Sequence, residues 1–186
     1  MLSTNLQELS VQFSNIKAQA DNLLRGLTPE QFNKRPSENS WSVSECLEHL
    51  NITGKDYTKV IDSEINKGLE QNIRSDDEPK FSFIGKMFIK AIEPPVKMKF
   101  KTTGQWMPAP NLNIDKIKSD FISLQDRFLE LLSKAQGLNL TKLKVYSPAT
   151  KLLGMNLLEA FNLNSAHERR HLLQAGNAKN KILNQS

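Results

Sequence analysis

Apolar side chains recur along the N-terminal segment at alternating spacings of three and four residues. The positions are Leu6, Leu9, Phe13, Ile16, Ala20 and Leu23. Because residues three and four apart lie on the same side of an α-helix, this pattern predicts an amphipathic helix over residues 2–24 with one buried stripe. The pair Thr28-Pro29 then predicts a short helical turn over residues 28–32, with the threonine as N-cap and the proline at the first helical position.

Two further helices are predicted to begin at capping boxes, in which a small polar residue is followed three positions later by glutamate. Ser42 and Glu45 form the first box, ahead of an apolar stripe, and predict a helix over residues 42–71. Asn156 and Glu159 form the second box and predict the last helix, over residues 156–179.

The remaining segments predict one short and one long helix with long connections. Residues 81–92 mix apolar and basic side chains and are stopped by Pro94 and Pro95, while residues 113–137 carry another apolar stripe. An acidic loop spans residues 72–80, and an irregular connection spans residues 96–113 with an extended-looking stretch at 97–101. The pattern predicts an all-α fold: a four-helix bundle with a short extra helix and long connecting loops, in a single domain over residues 1–186.

Composition and charge argue against several classes of protein. The formal charge is only +5, and no run of five like charges occurs, which is untypical of a nucleic-acid-binding protein. No apolar stretch approaches the ~20 residues that span a bilayer, and the first 12 residues do not resemble a signal peptide. Cys46 is the sole cysteine, which excludes an internal disulfide and fits a reducing compartment. We expect a cytoplasmic protein with no nucleic-acid or membrane partner.

The predicted last helix has a polar interruption in an otherwise apolar strip. Its members are Asn164, His167, His171 and Gln174. His167 and His171 are four residues apart, so both imidazoles project from one face, the spacing by which one helix supplies two ligands to a metal ion. His49, the only other histidine, lies beside the apolar stripe of the helix predicted over residues 42–71. On spacing alone, a solvated histidine pair and a satisfied core histidine explain the pattern as well as a metal site does.

Two segments resemble the signature motifs of DinB-like proteins. Residues 41–50 read WSVSECLEHL, similar to W-S-x-x-E-x-x-x-H-L, and residues 167–174 read HERRHLLQ, similar to H-E-R-R-H-x-x-Q. The likeness extends to the turn at residues 27–30, the proline-rich middle loop and the approach to the last helix at Gly154. The resemblance implies a DinB/YfiT-like four-helix bundle that holds one divalent metal ion through His49, His167 and His171. Three imidazoles suit Zn²⁺ or Ni²⁺ and leave a coordination position open.

Several neighbouring side chains are candidates for lining this site. Glu45 lies four residues before the first histidine, so it either accepts a hydrogen bond from that imidazole or serves as a helix cap alone. Asn164 and Gln174 either line the pocket or have ordinary roles on the helix surface. Trp106, in the proline-rich loop, is a candidate cover for the pocket mouth, whereas we expect Trp41 to pack over the start of its helix.

The resemblance implies chemistry on a small molecule. DinB-like relatives include S-transferases that join low-molecular-weight bacterial thiols to electrophiles, and members described as metal-dependent hydrolases. We therefore expect a metal-activated thiolate or metal-activated water to attack a small substrate. The alternative is a non-enzymatic, stress-related bundle whose metal site is structural or vestigial. A monomer and a homodimer are both compatible with the sequence.

Residues 167–171 read His-Glu-Arg-Arg-His and also match the H-E-x-x-H motif of zinc proteases. In those enzymes the glutamate is the general base and the third ligand lies downstream. Here the third histidine lies upstream, and no His, Asp or Glu follows His171, which argues against a protease. Glu168 is a weak candidate for a catalytic base, with pairing to Arg169 or a lysine at the surface as the alternative.

Overall fold

The computed structural model describes residues 4–95, 102, 104–148 and 154–184. Its helices are α1 Leu6–Leu24, α2 Pro29–Asn33, α3 Val43–Glu70, α4 Phe83–Ile92, α5 Ile114–Lys134 and α6 Leu157–Leu183. A 3₁₀ turn at Gly104–Trp106 and two short strands, β1 Lys144–Tyr146 and β2 Gly154–Asn156, complete the described elements. The stretch at 97–101, for which we expect an extended conformation, lies outside the described residues.

Local capping determines where the helices begin. Thr28, Ser42 and Asn156 each complete a capping box, so α2, α3 and α6 start within a residue of the predicted positions. Helix α1 begins later than predicted, because the side chain of Asn5 caps it by accepting a backbone hydrogen bond two residues on. Helix α6 continues past residue 179, where we expected its end, and Ile182 in its last turn is still buried.

Four long helices, α1, α3, α5 and α6, form the bundle. Helices α1 and α3 each pack against both α5 and α6, the short α4 packs on α6, and the buried apolar side chains of the long helices join one hydrophobic core. Within that core Phe13 of α1 stacks on Phe128 of α5 with ring centroids 4.6 Å apart. The prediction of an all-α bundle with a short extra helix is confirmed. Among the helices of the described residues, none has both the length and the apolar character needed to cross a membrane.

A small antiparallel hairpin, which the sequence pattern does not predict, precedes α6. Val145 of β1 pairs with Met155 of β2, and both side chains are buried. Each strand has only three residues, which is too short for an alternating pattern to be recognised. The backbone N–H of Leu157 donates to the carbonyl oxygens of Leu140 and Leu143, so this region holds the first residue of α6 in place.

Candidate metal centre

The side chains of His49, His167 and His171 converge between α3 and α6. One nitrogen from each imidazole can be chosen such that all three lie within 4.8 Å of one another. The Nε2 atoms of His49 and His167 are 3.2 Å apart. Two nitrogens that are each about 2.0–2.1 Å from one tetrahedral ion lie about 3.3 Å apart. The spacing therefore fits two ligands of one divalent ion, with the third imidazole within reach.

The packing of the two helices explains this convergence. His167 and His171 are one turn apart on α6 and face α3, while His49 lies on the α3 surface that packs against α6. The ring centroid of His49 is 5.1 Å from that of His167 and 4.7 Å from that of His171. His49 and His171 are buried and His167 is half-buried, so the cluster is most accessible at His167.

The surroundings keep all three imidazoles neutral. Burial lowers the pKa of His171 to about 3, with the nearby His49 and Arg170 lowering it further and a hydrogen bond with Gln174 opposing them. Burial, followed by repulsion from the other two histidines, lowers the pKa of His167 well below its ordinary value. Burial also lowers the pKa of His49. Neutral imidazoles carry the lone pair that a metal ion needs, so at neutral pH the cluster is ready to coordinate.

Two tryptophans contact the histidine cluster. The Trp41 ring centroid lies 5.0 Å from that of His49 and 5.7 Å from that of His171, which makes it an apolar wall of the site. Trp106 contributes its backbone: the carbonyl oxygen lies 3.0 Å from Nδ1 of His49. Because a carbonyl oxygen only accepts, Nδ1 of this histidine carries the proton and Nε2 keeps its lone pair.

Glu45 does not partner His49, which corrects one of the two interpretations given for it. Its carboxylate accepts a hydrogen bond from the backbone N–H of Ser42 over 2.8 Å and forms an ion pair with the guanidinium of Arg35. The side-chain hydroxyl of Ser42 in turn accepts from the backbone N–H of Glu45. The carboxylate therefore serves as a helix cap held by an arginine, and the carbonyl of Trp106 occupies the role that was considered for it.

The two amides of the polar strip have different surroundings. Asn164 is buried, and its amide donates to the carbonyl oxygen of Ala160 in the preceding turn, which is a role within the helix. Gln174 is half-buried and interacts with the His171 ring, whose pKa it raises. Of this pair, Gln174 is the one whose side chain influences a histidine of the cluster.

Glu168 faces away from the surface and towards α5. It is buried, and its Oε1 accepts a hydrogen bond from the side-chain amide of Gln125 over 3.0 Å. Burial raises its pKa to about 8. The alternative of pairing at the surface does not hold, because Glu168 is buried and Arg169 forms its ion pair with Glu93. Consecutive residues are about 100° apart around a helix, so Glu168 projects from a different face of α6 than His167.

The sequence did not predict the partners of three residues that had been candidates for the site. Arg35 reaches Glu45, Gln125 reaches Glu168, and Asp56 accepts a hydrogen bond from the Trp106 indole. Gln125 stands in an apolar stripe as a single buried polar residue, which is the one signal that could have singled it out. The other two residues carry no local signal.

Comparison with known proteins gives one family. The sequence model described as the DinB superfamily matches residues 12–175, a range that contains all three histidines and the whole of α3 and α5. No curated protein and no solved structure matches the chain significantly.

Proposed function

The chain belongs to the DinB superfamily, and from this premise we propose that it is a divalent-metal-dependent enzyme that joins a small thiol to an electrophilic small molecule. The observation that carries the proposal is the cluster of three neutral imidazoles from α3 and α6. Within the described residues, no cysteine or carboxylate joins that cluster as a fourth ligand. A structural zinc site usually has four protein ligands, whereas a catalytic one has three and an exchangeable position.

His49, His167 and His171 are the residues that would hold the ion, with Zn²⁺ or Ni²⁺ as the candidates that imidazole donors suit. When bound, the ion supplies a Lewis acid that lowers the pKa of a thiol or water molecule beside it. Three neutral ligands leave its charge uncompensated by the protein, which favours an anionic partner such as a thiolate. The half-buried His167 marks the side from which a small molecule could approach.

The position of Glu168 favours a thiol over water as the nucleophile. Attack by water ordinarily needs a general base within hydrogen-bond reach, and the carboxyl that follows His167 bonds to Gln125 on α5 instead. A thiol has an ordinary pKa of about 8.5, compared with about 15.7 for water, so it ionises with far less assistance. In the reaction the thiol proton is released to solvent, the sulfur bonds to the electrophilic carbon, and the leaving group departs with its bonding electrons.

A binding experiment tests the metal. Chelator-treated protein is titrated with Zn²⁺ and with Ni²⁺ by calorimetry, and we expect one ion per chain. His49→Ala and His171→Ala should weaken binding by more than about 100-fold, since even outer-shell partners are worth about 10–100-fold. Asp120→Ala, which removes an exposed ion pair with Lys116 on α5, is the matched control and should bind like the parent protein. Absence of binding by the parent protein would overturn the proposal.

An activity experiment tests the reaction. The metal-loaded protein is screened with small thiols and a chromogenic electrophile, and the rate should be lost with a chelator, restored by metal, and lost in His49→Ala. Tight metal binding without any turnover would instead support the non-enzymatic bundle with a structural or vestigial site. Metal-dependent ester hydrolysis that disappears in Glu168→Gln would support the hydrolase alternative.

A further inference from the structure

Trp106 contacts α3 at two points through different parts of the residue. Its backbone carbonyl oxygen lies 3.0 Å from Nδ1 of His49, and its indole Nε1–H donates to Oδ2 of Asp56 over 3.1 Å. His49 and Asp56 are seven residues apart on α3, which is about 20° short of two full turns and about 10 Å along the axis. The two residues therefore share one face of the helix, and Trp106 bridges them.

The carbonyl end of this bridge sets the state of His49. Which ring nitrogen of a neutral histidine carries the proton depends on the hydrogen bond that the other nitrogen makes. With Nδ1–H donating to the Trp106 carbonyl, the unprotonated Nε2 points at Nε2 of His167, 3.2 Å away. Without that acceptor, the tautomer would lose the hydrogen bond that selects it, and the orientation of the ring would depend on its packing alone.

The indole end of the bridge adds a second attachment of Trp106 to α3, beside the packing of its ring near Tyr57, with centroids 6.4 Å apart. Trp106 closes a single 3₁₀ turn, Gly104–Trp106, whose first two residues are exposed. A turn of three residues has little internal bonding with which to fix a carbonyl against a helix. The bond from the indole to the Asp56 carboxylate is charge-assisted and belongs to the stronger class of hydrogen bonds. The other oxygen of that carboxylate accepts from Lys59 over 3.1 Å, so the two oxygens have separate partners.

We propose that Asp56 is a positioning residue of the metal centre. It holds the Trp106 indole, and through it the backbone carbonyl that fixes the tautomer and orientation of His49. The inference rests on the proposed function, because the Nε2 lone pair would coordinate the metal ion. A residue two turns away from the ligand thus determines how well the cluster binds an ion.

Four variants separate this link from other effects. Asp56→Ala removes the acceptor, and Trp106→Phe removes the indole N–H while keeping the backbone carbonyl. Asp56→Asn keeps an acceptor oxygen and should restore most of the affinity. Lys59→Ala removes the other partner of the carboxylate without freeing the indole, and serves as the matched control.

Zn²⁺ affinity is the first measurement, made by competition with a chromophoric chelator. Asp56→Ala and Trp106→Phe should each weaken binding by about 10–100-fold, as outer-shell substitutions do. The double variant should be no weaker than the weaker-binding single variant, because both remove the same hydrogen bond. Lys59→Ala should stay within about twofold of the parent. Additive effects of the two substitutions would overturn the link.

The second measurement needs no metal. Histidine ring nitrogens are observed by ¹⁵N NMR in the metal-free protein at neutral pH, where the chain contributes only three histidines. The parent protein should show His49 protonated at Nδ1, and Asp56→Ala and Trp106→Phe should show a mixture of tautomers. Unchanged tautomer in both folded variants would overturn the inference. If the parent protein binds no Zn²⁺, the proposed function fails, while this comparison still decides the role of Asp56.

Discussion

Helices α1 and α6 both contribute to the bundle interior, but they bury different kinds of side chain. The buried residues of α1 are Leu9, Phe13, Ile16, Ala20 and Leu24, all of them apolar. The buried residues of α6 include Glu159, Asn162, Asn164, Ser165, Glu168 and His171 beside its apolar ones. Helix α3, which packs on α6, likewise buries a glutamate, a histidine and an asparagine. The buried residues of α1 and α5 are apolar, with Gln125 of α5 as the one exception. The side chain of Gln125 donates a hydrogen bond to Glu168 of α6.

This difference separates a part of the interior that is packed by apolar side chains alone from a part that also buries ionisable groups. Burial of apolar surface favours folding, whereas burial of an ionisable group disfavours its charged form and costs free energy. In the α3–α6 region the second effect lowers the pKa of His171 and raises that of Glu168. Perturbed groups of this kind cluster at functional sites, where local stability is given up for reactivity.

The largest effect is expected on the apolar side of the comparison. Phe128→Ala removes a fully buried ring that stacks on Phe13, and should lower the free energy of unfolding by about 3–5 kcal/mol. Zn²⁺ affinity of the folded protein should stay unchanged, because no histidine contact is altered. Urea unfolding and calorimetry at a temperature where the variant is folded measure the two quantities. A parallel loss of affinity would show that the two regions are not separable.

A smaller effect of the opposite sign is expected at Glu168. Its pKa is about 8 in the folded protein against an ordinary 4.5, so the unfolded chain releases a proton that the folded one keeps. The contribution of Glu168 to the free energy of unfolding is therefore fully present below pH 4.5, and it is lost as the pH rises through about 8. Glu168→Gln should stabilise the metal-free protein by about 3 kcal/mol at pH 7, at about 1.36 kcal/mol per pKa unit, and by little at pH 4.5.

Urea unfolding at several pH values measures this effect. The same exchange at Glu130, an exposed carboxyl on α5, is the control and should change stability by less than about 0.5 kcal/mol. A Glu168→Gln variant that is destabilised equally at both pH values would contradict the burial of an ionisable carboxyl.

The smallest of the three effects comes from the histidines and is best seen in the Glu168→Gln background. The folded pKa of His171 is about 3 against an ordinary 6.5, so below pH 6.5 the unfolded chain binds a proton that the folded one does not. Stability of the metal-free protein should therefore fall as the pH is lowered, by about 2 kcal/mol at pH 5 from this residue alone. His171→Gln should reduce that slope in the same urea titration. A stability that is flat between pH 7 and pH 5 would contradict the neutral cluster.

The local features of the fold could be predicted because their signals lie within a few residues. The capping boxes at Ser42 and Asn156 act across one helical turn, and they placed the starts of α3 and α6 correctly. The four-residue spacing of His167 and His171 likewise fixes their common face by helix geometry alone. Helix ends were placed less well, since Ile182 keeps α6 in the bundle through packing and not through a local stop signal.

Only the tertiary structure decided what surrounds those histidines. The approach of His49 to His167, the wall formed by Trp41 and the carbonyl of Trp106 depend on how α3 and α6 are rotated against each other. Glu168 shows most clearly what the local sequence does not determine. Its sequence neighbours suggest a zinc-protease base, whereas its hydrogen-bond partner is Gln125, 43 residues away. Helix periodicity specifies which side chains share a face. The packing of distant helices specifies which faces meet, and a metal site needs both.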